Sequence, residues 1–338
     1  MQRRTVKSEV VIPGIEAITR RDFLFGGAAT LLLGRCGSGG GDESSGGTRT
    51  FEHAMGTTEI PVRPERIITV TDQNALLPLL ELGVKPVASA GFLEPDGDGV
   101  FRRTDGFDTS GVEFVGDFLE PNLEKIASLE PDLIVGYELQ EDLYERLSGI
   151  APTVFVQVFD RPLGEALMDF ADLVNRTDRA ERLRSGYNKR VATLLEGLGG
   201  RRETLSVSVI SPGDAAGQFY RADVGQALGT VMSDLDLPRP EPQRSEGDFD
   251  PFSLETLPEH DADVVLVVDY SEEGEAPTLT ELLKSPLYRS LAAYRADQTH
   301  VLDGTETVGA AWTRMEAFLA ELEHIILDSN LNPDTVKE

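Results

Sequence analysis

Apolar positions along this chain follow two alternating rhythms. Short β-branched runs at 67–70, 86–90, 133–135 and 153–158 read as buried strands, while 74–82, 123–129 and 141–147 carry the spacing of amphipathic helices. Gly83 stops the first of these helices, and the Gly- and Asp-rich stretch 91–112 reads as loop. From 163 to 198 nearly every segment fits a helical pattern, broken once at Asn175-Arg176-Thr177-Asp178, where Asp178 is placed to cap a second helix. The alternation then resumes, with strands at 205–210, 264–268 and 300–302 and helices at 224–235, 254–257, 279–283 and 311–327. Strands alternating with helices predict an α/β protein with parallel-type sheets. Two similar lobes, 51–160 and 201–330, joined by a long helical connector at 161–200, leave a ligand cleft between them. At 338 residues the chain is long enough for two domains, each with its own core.

The two lobes share a sentence. Residues 121–137 read PNLEKIASLEPDLIVGY and 250–270 read DPFSLETLPEHDADVVLVVDY. Asn122-Leu123-Glu124 matches Ser253-Leu254-Glu255, and in each copy an Asp (Asp132, Asp263) follows the Glu by the same step and opens a β-branched run. A polar cap, an acid in the first helical turn and a buried strand form one coherent unit. Stated twice, the unit places one helix-start acid on each lobe, a pair suited to a two-fold symmetric partner.

The first 36 residues are an address. Thr19-Arg20-Arg21-Asp22-Phe23-Leu24 is a twin-arginine pattern, followed by an apolar stretch from 23 to 33. That stretch rises only about 16 Å as a helix, too short for a membrane core of about 30 Å, so it reads as an export signal. Cys36, the single cysteine, sits where a lipoprotein signal is cut and the new N-terminus acylated, although Arg35 departs from the small residue preferred before it. One cysteine excludes an intrachain disulfide and a thiolate metal cluster. Residues 37–50, GSGGGDESSGGTRT, have the composition of a flexible tether. The expected location is the outer face of the cytoplasmic membrane, held through a lipid alone.

Charge narrows the partners further. With 31 basic and 59 acidic residues the chain carries −28, so phosphate backbones are repelled and nucleic acid is excluded. Such a surface suits high salt, where repulsion is screened. Catalytic signatures are missing: no Gly-x-Ser-x-Gly elbow, no phosphate loop, and scattered histidines (His53, His260, His300, His324) with no paired spacing. The expectation is a binding protein, not an enzyme.

The run His53-Ala54-Met55-Gly56-Thr57-Thr58-Glu59-Ile60-Pro61, with Arg63-Pro64-Glu65-Arg66-Ile67, resembles the start of iron-siderophore substrate-binding proteins of ABC importers. Asn122-Leu123-Glu124 with Glu130-Pro131-Asp132, Ser253-Leu254-Glu255, and Ser285-Pro286-Leu287-Tyr288 with Leu291-Ala292-Ala293 are similar to later segments of that family. The resemblance spans about residues 51–330. It implies a helix-backboned, two-lobed binder, of a family that also serves haem and cobalamin. It further implies that Glu124 and Glu255 meet arginines on an ABC permease dimer. The ligand implied is a ferric siderophore or related chelate, taken up by a monomer with no cofactor of its own. A chelate needs aromatic walls and a few donors, and α/β proteins place ligands in loops after strands. The candidates on those grounds are Gln73, Phe92, Phe118 and Tyr137 in the first lobe, and Tyr220, Arg221 and Tyr270 in the second, with Trp312 at the start of the last helix. Arg102 and Arg103, in the loop-like stretch, are set aside.

Overall fold

The computed structural model describes residues 47–159, 161–222, 225–244, 251–271 and 277–328. The export pair Arg20 and Arg21, the cysteine Cys36 and most of the tether lie outside the described residues.

The described chain opens with an antiparallel ribbon of β1 (Thr48–His53) and β2 (Gly56–Pro61). β1 begins inside the stretch read as tether, so Thr48, Arg49 and Thr50 are paired strand. Only Phe51 and Ile60 of the ribbon are buried, an apolar signal too thin to stand out in sequence.

The first-lobe elements are β3 (Ile67–Thr69), α1 (Leu77–Glu81), β4 (Ala88–Leu93), β5 (Gly99–Val100), β6 (Glu113–Asp117), α2 (Leu123–Ser128), β7 (Leu133–Tyr137), α3 (Glu141–Ser148) and β8 (Thr153–Val156). The strands pair in the order β6-β4-β3-β7-β8, all parallel, with β5 antiparallel on the end of β4. The stretch 91–112 is therefore not wholly loop: β4 runs on to Leu93 and turns back through β5.

α4 (Leu163–Leu173) and α5 (Thr177–Leu198) follow. Arg176 stands at the cap of α5, and Asp178 lies inside its first turn rather than capping it. There its charge still faces the positive end of the helix dipole.

The second lobe holds β9 (Val207–Pro212), β10 (Gln218–Arg221), α6 (Gln226–Leu235), β11 (Phe252–Ser253), β12 (Val264–Asp269), α7 (Pro277–Lys284), α8 (Pro286–Ser290), α9 (Ala292–Arg295), β13 (Thr299–Asp303) and α10 (Trp312–Asp328). Its strand order is β11-β10-β9-β12-β13. β9, β12 and β13 are parallel, while β10 runs antiparallel to both neighbours. The helix expected at 254–257 is a 3₁₀ helix, Leu254–His260, with Pro258 inside it.

The internal repeat has a physical basis. Asp132 accepts from the backbone N–H of Glu65 (2.7 Å) and Arg66 (2.9 Å), just before β3. Asp263 accepts from the N–H (2.7 Å) and Oγ (2.8 Å) of Ser206, just before β9. In both lobes the Asp that opens one strand clamps the entry of the parallel strand beside it.

Alternate residues of each sheet pack into different cores. Ile68, Ile134 and Phe155 face one apolar cluster in the first lobe, and Ile210, Val265 and Val267 face another in the second. Leu133, Val135 and Val154 of the first sheet share a third cluster with Val207, Val209 and Leu266 of the second, bridged by α4, α5, α6 and α10. The lobes thus hold private cores on one face of each sheet and a common core on the other.

Candidate functional site

Loops at the carboxyl ends of the strands carry the candidate side chains. In the first lobe, Phe92 lies one residue before the end of β4, Phe118 follows β6, Tyr137 closes β7 and Phe159 follows β8. Buried Gln140 holds this wall: its Nε2 donates to the carbonyls of Val70 and Phe118, both at 2.8 Å. The Glu138 carboxylate accepts from the N–H of Val158 (2.8 Å) and Phe159 (2.6 Å), fixing the loop that presents the Phe159 ring. The Tyr137 and Phe159 rings lie 6.0 Å apart, and burial pushes the Tyr137 phenol above its usual pKa.

The second lobe supplies most of a cavity of about 490 Å³, lined by Ser211, Asp214, Tyr220, Arg221, Tyr270 and Thr307 among others, with Phe159 from the first lobe. That volume lies within the range of small-molecule sites. The Tyr220 hydroxyl donates to Asp214 at 2.7 Å. Arg221 is only 5% exposed, and its Nη2 donates to the Gln243 carbonyl at 3.0 Å. Gln243 is itself locked, accepting from the Val209 N–H at 3.2 Å and donating to Ser208 Oγ at 2.8 Å. Tyr270 keeps 41% of its surface exposed and hydrogen-bonds Thr307, and burial pushes its phenol up to about 12. Gly304 makes room for that ring: a Cβ there would stand 2.6 Å from Tyr270 Cδ1.

Tyr220, Arg221 and Tyr270 therefore meet at one cavity, and Tyr137 reaches it through Phe159. Phe92 and Phe118 do something not foreseen. The guanidinium of Arg102 covers both, 5.0 Å from the Phe92 centroid and 4.5 Å from that of Phe118. Arg102 is bound in turn to Asp72, whose side chain is fully buried: backbone N at 2.8 Å, Nε at 3.0 Å and Nη2 at 2.9 Å. Breaking such a buried pair by removing one partner costs about 3–5 kcal/mol. Nothing in the spacing links Asp72 to Arg102, so the sequence reading set this arginine aside. Phe159 had a signal, since it follows β8 as Phe118 follows β6 and Tyr270 follows β12.

Gln73 is half-buried, and its carbonyl accepts from the Ala310 N–H at 2.9 Å, a bond between the lobes. Trp312 does not join the cleft. It is 1% exposed, belongs to the common core and faces a separate cavity of about 400 Å³ beside Tyr187 and Asp234. A tryptophan at a helix start satisfies both a site pattern and a core pattern, and here packing wins. Glu124 and Glu255 are exposed in the first turns of α2 and the 3₁₀ helix. Their caps differ: Asn122 Oδ1 accepts from the Lys125 N–H at 2.9 Å, and Ser253 Oγ from the Glu255 N–H at 3.3 Å. Among the described residues no group of three or more His, Cys, Asp or Glu side chains gathers to hold a bare metal ion.

The sequence pattern of the family described as periplasmic binding protein matches residues 80–305. This chain belongs to that family. The binding protein is 32% identical over 292 residues to a probable siderophore-binding lipoprotein, YfiY, of Bacillus subtilis (strain 168), an overlap covering 81% of this chain and 87% of that one. It is 26% identical over 302 residues to the iron(3+)-hydroxamate-binding protein YxeB of the same organism, covering 84% and 90% of the two chains. A solved structure of Staphylococcus aureus SirA complexed with staphyloferrin B superposes with a TM-score of 0.69 at 26% identity, over 82% of this chain and 98% of that chain. These relatives bear out the resemblance to ABC-importer substrate-binding proteins of the helical-backbone class, and the two-lobed α/β architecture.

Proposed function

We propose that this binding protein captures a ferric siderophore in the cleft between its lobes and hands it unchanged to an ABC permease. The observation that carries the reading is the meeting of Tyr220, Arg221 and Tyr270 with Phe159 around one cavity of about 490 Å³. Aromatic faces cover the organic shell of a chelate, and hydroxyl and guanidinium donors bind its oxygens. Cys36 carries the lipid, Arg20 and Arg21 direct export, and residues 37 to 47 tether the domain above the membrane. Glu124 and Glu255 dock the loaded protein, one acid to each permease subunit. Lobes 51–160 and 201–330 form the two walls, and 161–200 joins them. The names of the relatives support the substrate class, since they include siderophore and iron(3+)-hydroxamate binders.

The test is calorimetric titration of the purified protein with a panel of ferric hydroxamates, catecholates and citrate, beside haem and a corrinoid. One-to-one binding of a ferric chelate, recovered chemically intact, is expected. Binding of haem or the corrinoid alone would transfer the site to a macrocycle.

A further inference from the structure

We propose that His53 is a pH-sensitive latch: its neutral ring bolts the tip of the β1–β2 ribbon to the open edge of the first sheet, and protonation of that ring releases the tip. The device belongs to the fold, whatever the cleft binds.

Among the described strands, β8 ends the order of the first sheet, so its outer edge has no strand beside it there. The tip of the ribbon covers that edge. The Ala54 N–H donates to the Phe155 carbonyl at 3.0 Å, and the Phe155 N–H donates back to Nδ1 of His53 at 3.3 Å. The Met55 N–H donates to the same Nδ1, also at 3.3 Å. One ring nitrogen therefore accepts from two backbone N–H groups, one on the ribbon and one on β8, and so carries no proton. The ring proton sits on Nε2, which donates to Thr58 Oγ1 at 2.9 Å. Thr58 gives its own hydroxyl proton to the Thr153 carbonyl at 3.1 Å and accepts from the Tyr144 hydroxyl of α3 at 3.3 Å. Only a neutral ring with its proton on Nε2 fits every one of these roles.

A second proton has one place to go, Nδ1. There it sets a third N–H against the two that already converge, and the backbone N–H groups of Met55 and Phe155 lose their acceptor. Among the described residues, the titratable or charged side chains that face the ring are Tyr144 on α3, Glu52 beside it on β1, and Arg161 and Asp169 across a shared polar cavity of about 420 Å³. The Tyr144 hydroxyl is committed to Thr58, Glu52 is exposed, and Arg161 is paired with Asp169. None of them is bonded to the ring, and burial lowers its pKa from the usual imidazole value. With its folded pKa depressed, the ring contributes stability that is present above the unfolded imidazole value and is lost as pH falls through the folded one. Only the tip responds. The base of the ribbon is held by Arg49, which bonds Asp172 at 3.0 Å, and by Phe51 and Ile60 in the common core. Acid thus opens the turn from His53 to Thr58 and bares β8 at Phe155, an open template for strand pairing.

The experiment measures amide hydrogen exchange of the full-length protein in detergent at about pH 7.5 and about pH 5, the span over which imidazole titrates. Rates are corrected for their intrinsic pH dependence, and wild type is compared with His53→Asn. The asparagine keeps an acceptor near the place of Nδ1 and takes no proton. The expected result is a loss of protection of at least tenfold at Met55 and Phe155 in the wild type at the lower pH, with protection in α5 retained, and no such loss in His53→Asn. Equal protection at both pH values, or an equal loss in both proteins, overturns the inference. So does a loss spread evenly through α5, which marks acid unfolding of the whole domain. If His53→Asn fails to hold the tip at either pH, the wild-type ring decides. Nitrogen NMR should then show Nδ1 without a proton at the higher pH, and a titration midpoint that coincides with the midpoint of the loss of protection. A protonated Nδ1, or two midpoints that stand apart, overturns the latch.

Discussion

Glu81 is the sharpest place to test how the two lobes are joined. It ends α1 in the first lobe, is 2% exposed, and its carboxylate accepts from the first N–H groups of α10: Trp312 at 2.9 Å and Thr313 at 2.8 Å. One buried acid therefore caps a helix of the other lobe. Glu81→Gln leaves one acceptor oxygen for two donors and turns an NH₂ toward the second. The cost of one stranded buried N–H is about 1–3 kcal/mol, against a typical ±0.5 kcal/mol for an exposed acid. Glu81→Ala strands both and removes the cap, about 2–5 kcal/mol. The assay is urea unfolding at pH 7, followed by far-UV circular dichroism. A Glu81→Gln loss below about 0.5 kcal/mol would refute the cap.

The same residue sets a pH dependence. Burial raises the Glu81 pKa above 4.5; hydrogen bonds from the Thr313 and Trp312 N–H groups and from the Thr313 side chain oppose that rise, and Glu316 adds to it. With its pKa raised on folding, the group binds more protons in the folded state. Its contribution is fully present below the ordinary carboxylate range and is lost as pH rises through the raised value. The stability difference between wild type and Glu81→Gln should therefore be larger near pH 4.5 than at pH 7, where the cost of the stranded N–H, about 1–3 kcal/mol, remains; a difference that widens as pH rises would reverse the assignment.

Three further outcomes are expected. Glu124→Ala with Glu255→Ala should abolish iron uptake while leaving chelate affinity unchanged, because an interface arginine left unpaired costs about 2–5 kcal/mol; normal uptake in the double variant removes the docking role. Arg20→Lys with Arg21→Lys should hold the protein in the cytoplasm, and Cys36→Ser should release it into the medium, as fractionation would show; surface display of the first or membrane retention of the second contradicts the anchor. Gly309→Ala should destabilise the protein by about 1–3 kcal/mol: Gly309 has φ +109°, and a Cβ would stand 2.7 Å from Leu77 Cδ2 and 3.2 Å from the Gln73 carbonyl. An unchanged unfolding midpoint would show that this contact yields freely.

Much of the architecture was readable in the chain, and the reasons are local. β3, β7, β9 and β12 are buried on both faces, so apolar residues dominate them, with Thr69, Ser208 and Ser211 as buried polar interruptions. The repeat at 121–137 and 250–270 was visible because Asp132 and Asp263 perform the same backbone clamp. The ribbon of β1 and β2 and the antiparallel β10 were not visible: half their positions face solvent or the cleft, and β10 alternates. The site divides in the same way. Tyr270 was found because position after a strand predicts position at a cleft; Tyr220 and Arg221 lie inside β10 itself, so the same rule reached them without the strand that carries them. Arg102 was lost because its partner Asp72 lies 30 residues upstream, and a pair of that separation is a product of the fold.

The common core has a consequence for how the cleft can work. α4, α5, α6 and α10 are packed into both sheets at once, so the segment between the lobes is not a strap that swings. Opening the walls widely would expose Phe170, Phe318 and Leu322 to water, and a single side chain of that kind costs about 1.5–3 kcal/mol to uncover. The protein therefore behaves as a caliper set near one width. A ligand is measured against a gap that already exists, and its size is judged before its chemistry is. The chain cannot be cut into two working halves, because each would carry away half of the surface that holds the jaws at their spacing.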